Sequence, residues 1–204
     1  MTQKGLFITF EGGDGCGKST QLSLVEKYLN EKGKTILTTR EPGSVGLGVK
    51  LREVLLHYDG DVASCAEAFL FLADRAQHIE KVVKPAIEKG IIVLCDRHTD
   101  SSVAYQGYGR GEDISQINML NNIATQGVKP DLTLLFDVST EVAQTRVGTE
   151  KDRMESAGIE FHKKVRQGYL EIAKNEPQRV KVIDANLTIE QVFDQVRKII
   201  DEKI

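Results

Sequence analysis

Cysteine is scarce in this chain, which has only Cys16, Cys65 and Cys95. An odd set without metal-ligand spacing argues against a disulfide framework and for reduced thiols. A basic excess is also missing: the net charge of -3 gives no support to nucleic-acid binding through a cationic surface. Long apolar runs are absent, the longest being a few residues such as Ile91-Ile92-Val93-Leu94, and no signal-peptide hydrophobic segment opens the chain. No membrane association is therefore expected, and the expected compartment is the cytoplasm. No repeat, low-complexity tract or Pro/Gly/Ser linker divides the 204 residues, so a single domain over 1–204 is expected. His57, His78, His98 and His162 pair with no cysteine or serine nucleophile motif, and none is assigned catalysis.

What is there is an ordinary globular composition, 40% hydrophobic and 28% charged. Strand-like and helix-like segments alternate along it. Strands are predicted at 6–10, 34–39, 91–95, 132–136 and 180–183, and helices at 18–32, 47–57, 63–89, 113–126, 139–147, 157–174 and 188–203. Residues 96–111 read as a polar loop. Five short apolar strands separated by helices imply an α/β fold, with a five-stranded parallel sheet covered by helices on both faces. In such sheets ligands bind beyond the carboxyl ends of the strands.

The loop after the first strand has the most specific pattern. Gly12-Gly13-Asp14-Gly15-Cys16-Gly17-Lys18-Ser19 fits G-x-x-x-x-G-K-[ST], preceded by a strand and followed through Thr20 by a helix, as that phosphate-binding loop requires. Glycines let backbone N–H groups curl around a phosphate chain at a helix N-terminus. Lys18 should reach the terminal phosphates and Ser19 should hold Mg²⁺. Cys16, beside a helix N-terminus, is open to oxidation, although a small side chain that simply fits there is the plainer reading.

Other strand ends add candidates. Asp96 could support Mg²⁺ directly or through water and Arg97 could clamp a second phosphate, a structural ion pair being the alternative. Glu41 follows the second strand, as a site carboxylate or a solvated loop charge. Phe71 and Arg75 lie four positions apart on one helical face, suited to stacking on a base and reading its edge, or to the core. Arg146 and Arg153, with Lys151 behind them, lie in a charged segment without an apolar stripe, either a solvated connection or a basic lid that stabilises charge during phosphoryl transfer.

Taken together, Phe10 through Thr20, Thr39-Arg40-Glu41-Pro42-Gly43, Asp96-Arg97 with Asp100-Ser101-Ser102 and Ala104-Tyr105-Gln106-Gly107, and Asp152-Arg153-Met154-Glu155 resemble the bacterial thymidylate kinase family over essentially the whole chain. The resemblance implies a P-loop kinase fold with a short lid at about 145–156, ATP and Mg²⁺, phosphorylation of dTMP to dTDP, and a homodimer. It also implies roles for individual residues. Arg97, assisted by Arg52, would bind the acceptor phosphate, with Glu41 near the acceptor and its metal or waters. Phe71 would stack on thymine, Arg75 and Gln106 would read its O4 and N3 edges, Ser102 would line the pocket, and Tyr105 would disfavour a ribose 2′-hydroxyl. Asp14 would lie near the acceptor. Gly15 stands where some members carry a loop arginine, so the charge-stabilising arginine would come from the lid, Arg153 first and Arg146 second.

Two positions depart from the family pattern: Ser44 for a glycine and His98 for a tyrosine. Two readings compete with this one, a P-loop kinase for another acceptor and a nucleotide-dependent switch that binds partners. The absence of a guanine-reading N-K-x-D motif weakens the GTPase form of the second.

Overall fold

A computed structural model describes residues 4–146, 148 and 152–204. Strand β1 (Phe7–Glu11) is central, with β3 (Ile92–Asp96) on one side and β4 (Leu132–Asp137) on the other; β2 (Ile36–Arg40) and β5 (Val180–Asp184) form the edges, giving the order β2-β3-β1-β4-β5, all parallel. Because successive side chains of a strand point to opposite faces, each inner strand feeds two cores. Ile8, Phe10, Leu94, Leu134 and Phe136 meet Val25 and Leu29 of α1 (Lys18–Glu31) and Val196 and Ile200 of α9 (Ile189–Lys203). Phe7, Val93 and Cys95 face the other way, onto a helix that begins as α3 (Ser64–His78), continues through a π turn (Ile79–Val83) and ends as α4 (Lys84–Glu88). Leu135 packs there against α8 (Ile159–Asn175). Helices α2 (Leu47–His57), α6 (Ile114–Thr125) and α7 (Thr140–Arg146) complete the chain with a short 3₁₀ turn at Glu155–Ala157.

The expected parallel five-stranded sheet is observed, and every predicted strand overlaps an observed one. The segment 96–111 is the correction. It is not a loop but a helix, α5 (Thr99–Ser102), running directly into a π-helical stretch over Val103–Gly109. Its buried face carries Tyr105 and Gln106 beside Val103 and Ala104, so the apolar stripe that betrays a helix is replaced by site polarity. Wide π turns of this kind recur where a helix is bent to serve a site.

This bent helix is seated on α8 by two glycines. A Cβ at Gly109 would lie 2.6 Å from the Phe161 ring, and one at Gly168 would lie 2.7 Å from the Tyr108 ring. The close approach brings Tyr105 and Tyr169 within 6.3 Å, ring centre to ring centre, and so shapes one wall of the site. Gly168→Ala is expected to destabilise the protein by ~1–3 kcal/mol, since added volume in a packed interface forces displacement; an unchanged denaturant midpoint would exclude this seating.

Candidate active site

Beyond the carboxyl ends of β1, β2 and β3 opens a cavity of about 830 Å³. Of the residues singled out from the sequence it is lined by Asp14, Gly15, Cys16, Gly17, Lys18, Ser19, Thr20, Glu41, Arg52, Phe71, Arg75, Asp96, Arg97, Ser102, Tyr105, Gln106 and Arg146. Gly12 and Gly13 contribute carbonyls that accept from Lys18 Nζ at 3.0 and 2.9 Å. Gly12, Gly15 and Gly17 all have positive φ, which glycine adopts without a Cβ penalty. The loop can thus bend tightly enough for α1 to begin at Lys18 and aim its N-terminus into the cavity.

Arg97 stands where loop and bent helix meet. Its backbone is left-handed, with φ 70°. Its guanidinium donates to Asp14, to Gly12 O (3.1 Å) and to the Tyr169 hydroxyl (3.2 Å), and lies 5.0 Å from the Tyr105 ring centre. Asp14 also accepts from the Tyr105 hydroxyl at 3.0 Å. Burial pushes the Asp14 carboxyl up, but Arg97 and Lys18 outweigh it and hold it at about 2. Three residues earlier Glu11 behaves oppositely. It is buried and near Asp100, which together push it up to about 7 even though it accepts from His98 N (2.7 Å), Ser101 Oγ (2.6 Å) and Tyr169 (3.0 Å).

The second half of the site is built on Arg75, which is 2% exposed. Its Nε pairs with Glu41 at 2.8 Å, Nη1 donates to Ser102 (2.7 Å) and Asn121 (2.6 Å), and Nη2 donates to His98 O (2.8 Å). Four of five N–H groups are thereby engaged. Glu41 is not a solvated loop charge: at 4% exposure, its other oxygen meets His78 Nδ1 (2.8 Å) and His98 Nδ1 (3.1 Å). Burial pushes its carboxyl up, yet Arg75 leads a group of donors that holds it well below the usual range. Phe71, one turn before Arg75, lines the cavity only partly buried and is not core. Arg52 is held over the site by Pro42 O at 2.9 Å.

Both departures from the family pattern are accommodated. The left-handed positions in that loop fall on Gly43 and Gly46, while Ser44 is not at positive φ and needs no glycine. His98 is wholly buried, packs edge-on against Phe7 at 4.9 Å and reaches Glu41.

Arg153 does not face the cavity: it donates from Nε to Leu55 O (2.9 Å) and from Nη1 to Glu67 (2.6 Å), so the structure does not bring it to the phosphate loop. Local order fixes it there, because Asp152 accepts from the N–H groups of Met154 and Glu155 while the Glu155 carboxylate accepts from Asp152 N. Arg146 does reach the cavity, donating to Ala185 O at 3.0 Å. Lys151, with residues 147, 149 and 150 of the expected lid, lies outside the described residues. Conversely, Glu11, Glu67, His78, Ser101, Asn121 and Tyr169 join the site or its supports without having been singled out. Glu67 was detectable as an acidic residue one turn before Phe71 on the same face; Tyr169, on a distant helix, carried no local signal.

The metal expected from the phosphate loop has fitting residues. Asp96 Oδ1 is buried without a hydrogen-bond partner among the described residues, and Ser19 lines the same cavity. A hard cation takes oxygen ligands of this kind together with phosphate oxygens and water.

A family model described as Thymidylate kinase matches residues 10–196. The chain is 48% identical to the thymidylate kinase of Leifsonia xyli subsp. xyli (strain CTCB07) over 203 residues, 98% of this chain and 96% of that relative. It belongs to the thymidylate kinase family. A thymidylate kinase of Trichodesmium erythraeum (strain IMS101) is 47% identical across 98% of this chain and 96% of that protein. The crystal structure of thymidylate kinase from Ehrlichia chaffeensis matches with a TM-score of 0.81 at 36% identity, covering 97% of this chain and 99% of that one.

Asp74 offers a check on these electrostatics. Its Oδ1 accepts from Gly43 N at 3.0 Å and its Oδ2 has no partner among the described residues; burial, then the nearby Glu41, push it up to about 6. A carboxyl raised in the folded state from 3.8 stabilises below that value and loses its contribution as pH climbs through about 6. The stability of Asp74→Asn relative to the parent should therefore improve by ~1–2 kcal/mol between pH 4 and pH 8 in denaturant titrations. A pH-independent difference would contradict the burial of this charge.

Proposed function

We propose that this chain carries the family's reaction through the residues just described. Thymidylate kinases phosphorylate dTMP to dTDP using ATP, with Mg²⁺. The ATP phosphates fit the loop from Gly12 to Thr20 with Lys18 at its helix start, and dTMP fits the opposite half, where Phe71 stacks on the base, Arg75 and Gln106 meet its edge, Ser102 lines the pocket and Tyr105 underlies the sugar. Arg97 binds the acceptor phosphate, with Arg52 beside it. The observation that carries this assignment is that one cavity is shared by the phosphate loop, the aromatic and arginine of α3, and Arg97 between them.

A phosphate oxygen of dTMP attacks the γ-phosphorus in line; that P–O bond forms as the bond to the β-phosphate oxygen breaks, and ADP leaves. No strong general base is required, because a phosphate monoester is already largely anionic near neutral pH. The greater obstacle is repulsion between the two anions, which Lys18 and Arg97 offset, Arg97 being held charged by Tyr105, Asp14 and Tyr169 against the effect of burial. Asp14 orients Arg97 rather than taking a proton, since a carboxyl at about 2 is a poor base. Ser19 and Asp96 are the residues that would hold Mg²⁺, which would supply positive charge to the ATP phosphates. Arg146, which reaches the cavity, is the better lid candidate for stabilising developing charge than Arg153.

The whole chain acts as one kinase domain in the cytoplasm and as a homodimer. Support for the dimer comes from α3, where Ala66, Phe69, Leu70 and Ala73 form a stripe at helical spacing with Phe69 54% exposed. No helix among the described residues is long and apolar enough to cross a membrane.

A coupled ADP-release assay with Mg²⁺·ATP tests the assignment. Turnover is expected with dTMP and not without a monophosphate, and Arg97→Ala should cut kcat by ~10²–10³-fold, the usual loss for a group that stabilises transferring charge. Release indifferent to every monophosphate would overturn the kinase reading.

A further inference from the structure

Glu67 has no part in the chemistry above, yet it is an acid with 1% of its side chain exposed beside the base-reading wall. It lies on α3 one turn before Phe71. Its Oε1 accepts from Gln106 Nε2 (3.1 Å) and Arg110 Nε (3.2 Å), and its Oε2 accepts from Arg110 Nη2 (3.1 Å) and Arg153 Nη1 (2.6 Å). Burial pushes its carboxyl up, but Arg110, Gln106 and Arg153 together hold it below the ordinary value. The two arginines are themselves anchored. Arg110 lies 4.7 Å from the Phe161 ring centre, and Arg153 is bound to the carbonyls of Leu55 and Leu56 through Nε and its backbone N–H. The carboxylate cannot turn away without stranding both.

An amide has a donor end and an acceptor end that differ little in shape, so a lone glutamine in a pocket can present either. An ionised carboxylate only accepts, and therefore only the NH₂ group of Gln106 can face Glu67. That leaves Gln106 Oε1, which takes no hydrogen bond from any described residue, as the end offered to the cavity that Gln106 lines. A ring nitrogen bearing hydrogen, as in thymine or uracil, satisfies such an acceptor. The bare N3 lone pair of cytosine opposes it.

We propose that Glu67 is a specificity-determining positioning residue: by holding the Gln106 amide nitrogen it presents Oε1 as a fixed acceptor, which selects pyrimidine monophosphates carrying N3–H over those that do not. The inference rests on the assignment of this cavity as the dTMP site. It also gives Arg153 a task in this arrangement, that of clamping the carboxylate.

Calorimetric titration of the full-length protein with dTMP, dCMP and ATP, for the parent and Glu67→Gln, tests it. The variant can offer an acceptor or a donor to Gln106, which frees the amide to turn. Its dTMP affinity should fall ~10-fold or more while its dCMP and ATP affinities change less than ~3-fold, because only the N3 contact is altered. Equal weakening of both monophosphates, or unchanged dTMP binding, would overturn the proposal. In a Gln106→Ala background Glu67→Gln should leave the dTMP-to-dCMP ratio where it is; a further fall would also overturn it. Should Glu67→Gln not fold, Glu67→Asp, which withdraws the carboxylate from Gln106, is read by the same criteria. A parent protein that binds neither monophosphate refutes the function itself, whereas a parent that prefers dTMP alongside a variant that keeps the preference refutes this inference alone.

Discussion

A single buried guanidinium, that of Arg75, joins the parts of the molecule that must be in register for the cavity to exist. It ties Glu41 at the end of β2, His98 after β3, Ser102 at the end of α5 and Asn121 on α6. Those partners come from three stretches of the chain, one after β2, one after β3 and one on α6, so one rigid, planar fork helps to set their relative positions. A charge so deeply withdrawn from water persists only with its partners in place, and loss of any one leaves an uncompensated polar group at a cost of several kcal/mol. Glu41 is in this sense the complement of Arg75, and two histidines hold its other oxygen.

At the phosphate loop the same physics separates two carboxyls only three residues apart. Glu11 and Asp14 are both withdrawn from solvent, but Arg97 and Lys18 dominate at Asp14, whereas at Glu11 burial and Asp100 outweigh Arg97 and the neutral donors. One is fixed as an anion and the other sits near the middle of the physiological range. Burial raises both acids; at Asp14 the nearby cations outweigh it, and at Glu11 they do not. Arg97 remains permanently charged at the meeting point of the two networks, where a transferring phosphate needs a cation that does not rely on solvent.

The architecture was legible in the sequence because its determinants are local: short apolar strands, helices closed by glycine such as Gly33 and Gly90, and a glycine loop with Lys18 and Ser19 at a helix start. The phosphate half of the site was legible for the same reason. The stretch 96–111 was not, because Ser101, Ser102, Tyr105 and Gln106 place polar groups on the inner face of a helix and so erase its hydrophobic period. Nor were Tyr169 and Glu67, whose importance comes from what the fold brings opposite them. Arg153 shows a subtler limit: its charged segment carries no signal of the buried Glu67 that the fold brings to it.

The tyrosine pair around Arg97 has an optical consequence. The chain contains no tryptophan and five tyrosines, and two of the five, Tyr105 and Tyr169, are buried against one another and against the Arg97 guanidinium. With no indole to mask it, the ultraviolet emission of the native protein comes from phenol rings alone. Two of those five rings lie beside Arg97, so a change in the surroundings of that guanidinium alters the environment of two of the protein's emitters.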